Sequence, residues 1–294
     1  MTDWHPERFA GVDGIALARA ALSRVTLLVP TYDEPTRQTA KDLRVLSALG
    51  AREVRLSGMS NVACARNTLT ARWLDGDDRE WALWIDDDVS AARGPFGWVE
   101  WIAQALDRAR DHERPPIFAG AYPCKTLGGG TLACVFVDPT AVELGEEQGG
   151  YHRADWIGGG AVLMHRATVD HLARELGIPG AGRVRYLFEG EYFFGPQVWR
   201  NGLRQTTDLD PELRVPVLEE HGEDVGLSAT AQRAGIPLLC DTRLRLDHRG
   251  EHVFTWEDAL GPRRERAPSL RLDRQRLELE ATRALAPDRL SPLC

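Results

Sequence analysis

Trp81-Ala82-Leu83-Trp84-Ile85-Asp86-Asp87-Asp88 is an apolar run closed by three acids. The run reads as a strand, so the acids arrive at its C-terminal end, the edge where open α/β sheets gather their ligands. Alternate side chains of an extended segment share a face, which lets Asp86 and Asp88 converge on one hard cation able to hold a diphosphate. A solvated acidic turn or a helix N-cap would use the same residues.

Outward from that strand the pattern repeats. Upstream lie a strand at Val25 to Val29 closed by Pro30-Thr31-Tyr32, a helix from Thr36 to Leu49 that stops at Gly50, a short strand at Val54 to Leu56, and a helix over Asn61 to Leu74. Downstream come a helix over Phe96 to Ala109, strands at Ile117 to Ala121 and, beyond Gly128-Gly129-Gly130, at Thr131 to Val137. Asp155 to His165 reads as one Gly-containing strand running into a helix over Ala167 to Leu176. A further helix spans Glu223 to Gly235, ahead of a strand at Ile236 to Cys240. Tyr186 to Leu218 mixes aromatics, prolines and charges without a period, which suggests an insertion over the site.

The alternation predicts an α/β fold with a mostly parallel central sheet flanked by helices. Residues 1–22 read as an N-terminal extension, 23–258 as the main domain, and 259–294 as an Arg-rich extension with one helix from Leu272 to Leu285. That extension would pack on the domain or on a partner chain, the latter making a homo-oligomer.

Lys plus Arg number 36 against 44 Asp plus Glu, a net charge of -8, which argues against broad binding of nucleic acid or anionic lipid. The five cysteines are scattered and contain no Cys-x-x-Cys pair, so neither a disulfide framework nor a zinc knuckle is indicated. The first residues lack the basic start and apolar stretch of a signal peptide, and no apolar run approaches the roughly 20 residues of a membrane span. A cytoplasmic protein is the expectation.

Val25 to Tyr32, Ser60-Asn61-Val62-Ala63-Cys64-Ala65-Arg66-Asn67 and the Asp86 to Asp88 triplet occur in the order seen in GT-A glycosyltransferases. Over about residues 25 to 255 the chain resembles bacterial and viral family-2-like enzymes of that group. The resemblance implies a GT-A (Rossmann-like) fold and a UDP- or GDP-sugar donor. Pro30, Thr31 and Tyr32 would lie near base or ribose, Arg66 near donor phosphate or ribose, and Asp86 and Asp88 on the metal, with Asp87 between them. Arg66 would otherwise be a surface charge or an ion pair with an acid of the triplet, and Tyr32 a packing residue.

The resemblance also makes the Glu223-Asp224 pair, at a helix start, the place of the general base, Asp224 ahead of Glu223; dipole complementarity alone would put acids there too. In Leu244-Arg245-Leu246-Asp247-His248-Arg249-Gly250-Glu251-His252 it implies His248 as third metal ligand, with His252 as alternative. A His with two Asp suits Mn²⁺ at least as well as Mg²⁺. Lys125, after a strand, would reach donor phosphates or sit in solvent. Gly159, in Asp155-Trp156-Ile157-Gly158-Gly159-Gly160, would lie beside donor sugar and acceptor. The implied activity is metal-dependent transfer of a sugar to an acceptor hydroxyl, with inversion. A nucleotidyltransferase, or a non-catalytic sugar or nucleotide binder, is the competing reading.

Overall fold

The computed structural model describes residues 12–92, 94–110, 112, 114–124, 132–142, 149–177, 182–186, 190–194, 197–209, 216–249 and 253–254. Lys125, the Gly128 to Gly130 run, Glu189, His252 and the Leu272 to Leu285 helix lie outside these residues. The first half runs through helix α1 (Val12–Leu22), strand β1 (Val25–Thr31), α2 (Arg37–Ala48), β2 (Arg52–Ser57), α3 (Val62–Gly76), β3 (Trp81–Ile85), β4 (Val89–Ala91), α4 (Pro95–Ala109) and β5 (Ile117–Gly120). After it come β6 (Cys134–Phe136), β7 (Tyr151–Ile157), β8 (Ala161–His165), α5 (Arg166–Glu175), β9 (Gly182–Tyr186) and β10 (Gly190–Phe194). The chain continues as β11 (Gly202–Leu209), β12 (Pro216–His221), α6 (Glu223–Arg233), β13 (Leu238–Asp241), β14 (Leu246–Arg249) and β15 (Val253–Phe254).

Eight strands form one sheet in the order β2-β1-β3-β8-β5-β13-β7-β6. β1 pairs in parallel with β2 and β3, and β13 with β5, while β8 and β7 run antiparallel to their neighbours. Every strand of this sheet except those two therefore points the same way, in keeping with the mostly parallel sheet expected. Strand alternation sorts the core into two layers. Leu27, Val29, Leu83 and Ile85 face α1, α2 and α4, whereas Leu28, Ala82 and Trp84 face α3, α5 and α6. A sheet covered on both faces buries every strand position, hence the fully apolar β3 and the largely apolar β1, whose Thr26 and Thr31 are buried as well.

Helix starts follow local chemistry. The Asn61 side chain accepts from Cys64 N at 3.0 Å and opens α3, and Thr36 does the same for Thr39 N at 3.4 Å ahead of α2. Ala18 and Leu22 of α1, read from sequence as part of an extension, belong to the main core. Two expectations change. Asp155 to His165 is not one strand: the three glycines 158–160 break it, so that β7 lies beside β13 while β8 sits between β3 and β5. The Tyr186 to Leu218 region is not aperiodic coil but holds most of two antiparallel hairpins, β9–β10 and β11–β12. No described helix is long and apolar enough to cross a membrane.

Candidate active site

β1 and β3 deliver Pro30, Thr31 and the Asp86 to Asp88 triplet to one edge of the sheet. Pro30 and Thr31 are buried there, while Tyr32 is 65% exposed and so is not the packing residue that sequence allowed. Asp86 N donates to Gly160 O at 3.1 Å, and Thr36 N donates to Asp87 O at 2.8 Å, fixing the backbone of the acidic turn.

The register of a small second sheet brings a histidine to the acids. β4 follows the triplet directly and pairs antiparallel with β14, placing His248 opposite Val89, and Arg249 N donates to Asp88 O at 2.8 Å. His248 Nε2 thereby comes within 3.4 Å of Asp88 Oδ1. Its Nδ1 lies 3.0 Å from Pro123 O. A carbonyl only accepts, so Nδ1 carries a proton and Nε2 is the nitrogen turned to the acid. The Tyr122 ring stands edge-on to the imidazole, centroids 5.1 Å apart, and the Tyr122 hydroxyl accepts from Gly160 N at 2.9 Å.

Arg66, 1% exposed on α3, lies at the centre. Its Nη2 donates to Asp86 Oδ1 at 2.7 Å and its Nε to Glu223 Oε1 at 3.2 Å, while its guanidinium carbon lies 4.7 Å from the centre of the Trp199 ring. The neighbouring Asn67 holds Trp199 by its backbone, donating to Trp199 O at 2.7 Å and accepting from Trp199 N at 3.0 Å. A Cβ on Gly159 would sit 2.7 Å from Arg66 Nη2, so any larger residue would have to displace the guanidinium from its place against the turn. Arg66 Nη1 is buried with no hydrogen-bond partner among the described residues.

Charge here is unbalanced. Burial pushes the Asp86 carboxyl up; Arg66 opposes this, and Asp88, Glu223 and Asp87 add to it. Burial, then the charge of Glu223, raises Asp224 at the first turn of α6, against the hydrogen bond from Val225 N and the charge of Arg66. Burial alone would lower Arg66, but Asp86 and Glu223 outweigh it and keep the guanidinium charged. Beside these groups a cavity of about 450 Å³ opens, reaching Glu223.

The expected trio of Asp86, Asp88 and His248 is only partly assembled. Among the described residues no three His, Cys, Asp or Glu side chains are grouped to hold a metal ion, and Asp86 is engaged by Arg66. Asp88 and His248 do fit a divalent ion: a carboxylate and an imidazole nitrogen adjoin, and the other ring nitrogen is fixed by a backbone carbonyl, the arrangement that orients metal-binding histidines. Substrate oxygens and water commonly complete such sparse sites.

No protein-family model matches the chain, and no curated protein matches it. Among solved structures it is similar to A197 from STIV, at 16% identity over 82% of this chain and 99% of that one, TM-score 0.45. It is also similar to UDP-glucose pyrophosphorylase complexed with UDP-glucose (10%, 79% of each chain, TM-score 0.30). A third similarity is to mannose-1-phosphate geranyltransferase from Thermus thermophilus (17%, 56% of this chain and 52% of that one, TM-score 0.28). Likenesses this distant carry no information about chemistry.

Sequence reasoning missed Tyr122, Pro123, Asn67 and Trp199 as parts of the site. Tyr122-Pro123 directly follows β5, at the same sheet edge as the acids, and that placement was the available signal. Nothing local marks Trp199, whose partner Asn67 is 132 positions away.

Proposed function

We propose that this chain is a metal-assisted glycosyltransferase, taking a sugar from a nucleoside-diphosphate sugar, UDP- or GDP-linked, to an acceptor hydroxyl with inversion. The observation that carries this reading is that buried Arg66 joins Asp86, from the acidic strand end, to Glu223, beside Asp224 at the start of α6, while Asp88 of the same triplet meets His248. Asp88 and His248 would hold Mn²⁺ or Mg²⁺, which when bound offsets negative charge on a diphosphate leaving group. Arg66 Nη1, buried without a partner among the described residues, is a donor that a phosphate or ribose oxygen of the substrate would satisfy. Pro30, Thr31, Asp87 and Gly159 would border the donor, and exposed Tyr32 offers a ring to its base.

In the reaction, Asp224 takes the proton from the acceptor hydroxyl as that oxygen bonds to the anomeric carbon. The bond from that carbon to the diphosphate breaks, and its electron pair leaves with the diphosphate. Burial and Glu223 raise the Asp224 carboxyl, making it a stronger base than an ordinary aspartate. Glu223, held by Arg66, fixes the first turn of α6 from which Asp224 projects.

The test is turnover of UDP- and GDP-sugars with Mn²⁺, read as release of nucleoside diphosphate. Asp224→Asn is expected to lower it roughly 10²- to 10⁴-fold, and the product's anomeric configuration should be opposite to the donor's. Release of pyrophosphate would mean nucleotidyl transfer, and nucleotide binding without any turnover a binding protein; either result would overturn the reading.

A further inference from the structure

The acceptor is the unassigned half of the proposed reaction, and the cavity of about 450 Å³ beside Glu223 bears on its chemistry. That volume lies within the roughly 300–1,000 Å³ of small-molecule sites. Three separate segments wall it: the turn at Ser60 leading into α3, Asn201 beyond the Trp199 that backs Arg66, and His221 to Glu223 at the start of α6. One more step along α6 lies Asp224.

The lining is selective by composition. Ser60, Asn201 and His221 contribute a hydroxyl, an amide and an imidazole, groups that both donate and accept, and Glu223 adds a carboxylate acceptor. Val62, 40% exposed, is the sole large apolar side chain among the described lining residues. Among those same residues there is no Lys or Arg to hold a phosphate and no Phe, Tyr or Trp for a nucleobase to stack on. A lipid or an apolar peptide side chain would leave these polar groups unpaired. A sugar meets every term: its hydroxyls need mixed donors and acceptors, and one C–H face covers a single small apolar residue.

We propose that this cavity is the acceptor subsite and that the acceptor is a neutral, polyhydroxylated molecule, a sugar or glycoside. This rests on the glycosyltransferase reading for the word acceptor; the carbohydrate site itself stands on the cavity alone. Seated there, the ligand lies against Glu223, one residue before Asp224.

The experiment is saturation-transfer NMR on the full chain with the methyl glycosides of glucose, galactose, mannose and N-acetylglucosamine, with and without nucleoside diphosphate and Mn²⁺. Thermal shifts with the nucleotides are read in parallel. At least one glycoside is expected to give a saturable signal that falls tenfold or more in Val62→Trp, which fills the cavity from an exposed position, and in His221→Ala. Circular dichroism of both variants checks the fold. No glycoside signal from the wild type under any condition would overturn the inference, as would a signal unchanged in both folded variants. A nucleotide shift without glycoside binding would sink the carbohydrate site and leave the donor reading standing. Glycoside binding lost in the variants without any nucleotide shift would do the reverse.

Discussion

The two edges of the central sheet handle charge in opposite ways. At the edge where β1 and β3 begin, Asp77 accepts from the Thr26 hydroxyl at 2.6 Å and from Arg79 N at 3.1 Å, with Arg79 Nη1 at 3.2 Å and Arg52 Nη1 at 3.5 Å from its carboxylate. Glu80 pairs with Arg24 at 2.6 Å, and Arg166 donates to the carbonyls of Trp73, Leu74 and Asp77 at the end of α3. Asp77 and Glu80 are thus each paired with at least one arginine. At the opposite edge Asp86, Asp87, Asp88, Glu223 and Asp224 gather around the single buried Arg66. The acids of the first edge are met by cations, whereas among the described residues of the second several acids raise one another's carboxyls around one guanidinium, a pattern that clusters at functional sites.

Substitutions should expose this contrast. The largest effect is expected from Arg66→Ala, which strands Asp86 and Glu223 without their shared partner; breaking a buried pair costs about 3–5 kcal/mol, to be read from urea unfolding at neutral pH. A loss below about 1 kcal/mol, the range of exposed pairs, would mean that the acidic edge does not depend on Arg66. Asp77→Asn comes next, at about 1–3 kcal/mol for lost charged hydrogen bonds.

The pH dependence of Asp77 has a definite sign. Burial would raise its carboxyl, but the Thr26 hydroxyl, the Arg79 amide and the Arg79 and Arg52 guanidiniums outweigh that and hold it below its ordinary value. Its contribution is therefore present above the unfolded pKa of about 3.9 and fades as pH falls through the folded value. Wild type and Asp77→Asn should converge in stability in that acid range.

Asp224→Asn should behave oppositely. A carboxyl raised by burial and by Glu223 favours the folded state when protonated, and that advantage disappears as pH rises through the folded pKa. The variant should thus be more stable than wild type at neutral pH, by about 0.5–2 kcal/mol, with the gain vanishing below about pH 3.9. Equal unfolding midpoints at neutral pH would argue that the acids do not strain one another. The smallest effect belongs to Glu80→Ala: with side chains 41% and 52% exposed, the Arg24–Glu80 pair should contribute under about 1 kcal/mol, and less at high salt.

Much of the layered fold was legible because its signals are local. Apolar-rich runs marked β1 and β3, Gly50 ended α2, and Asn61 opened α3. Gly158 to Gly160 misled because a glycine run is equally a flexible strand or a break, and only the pairing of β8 with β3 and β5 decides. Candidate site residues could be named from the sequence, but not their partners. Arg66 meets Glu223 across 157 positions, and Asp88 meets His248 through the β4–β14 register, which no spacing in the sequence encodes. Asp86 illustrates the difference: alternation along a strand suggested a partnership with Asp88, but a buried guanidinium on α3 competes for its oxygen.

Because one arginine bridges an acid from the first half of the chain and another from the second, the protein has a linkage that backbone connectivity does not supply. A chain opened within the 178–181 segment, between α5 and β9, would leave Arg66 and Asp86 in one fragment and Trp199 and Glu223 in the other. The first fragment would then carry Arg66 with Asp86 but without Glu223 or the Trp199 ring against its guanidinium, so neither piece should hold the site in working shape by itself. What evolution could separate as two exons or two genes, the guanidinium of Arg66 obliges to fold as one.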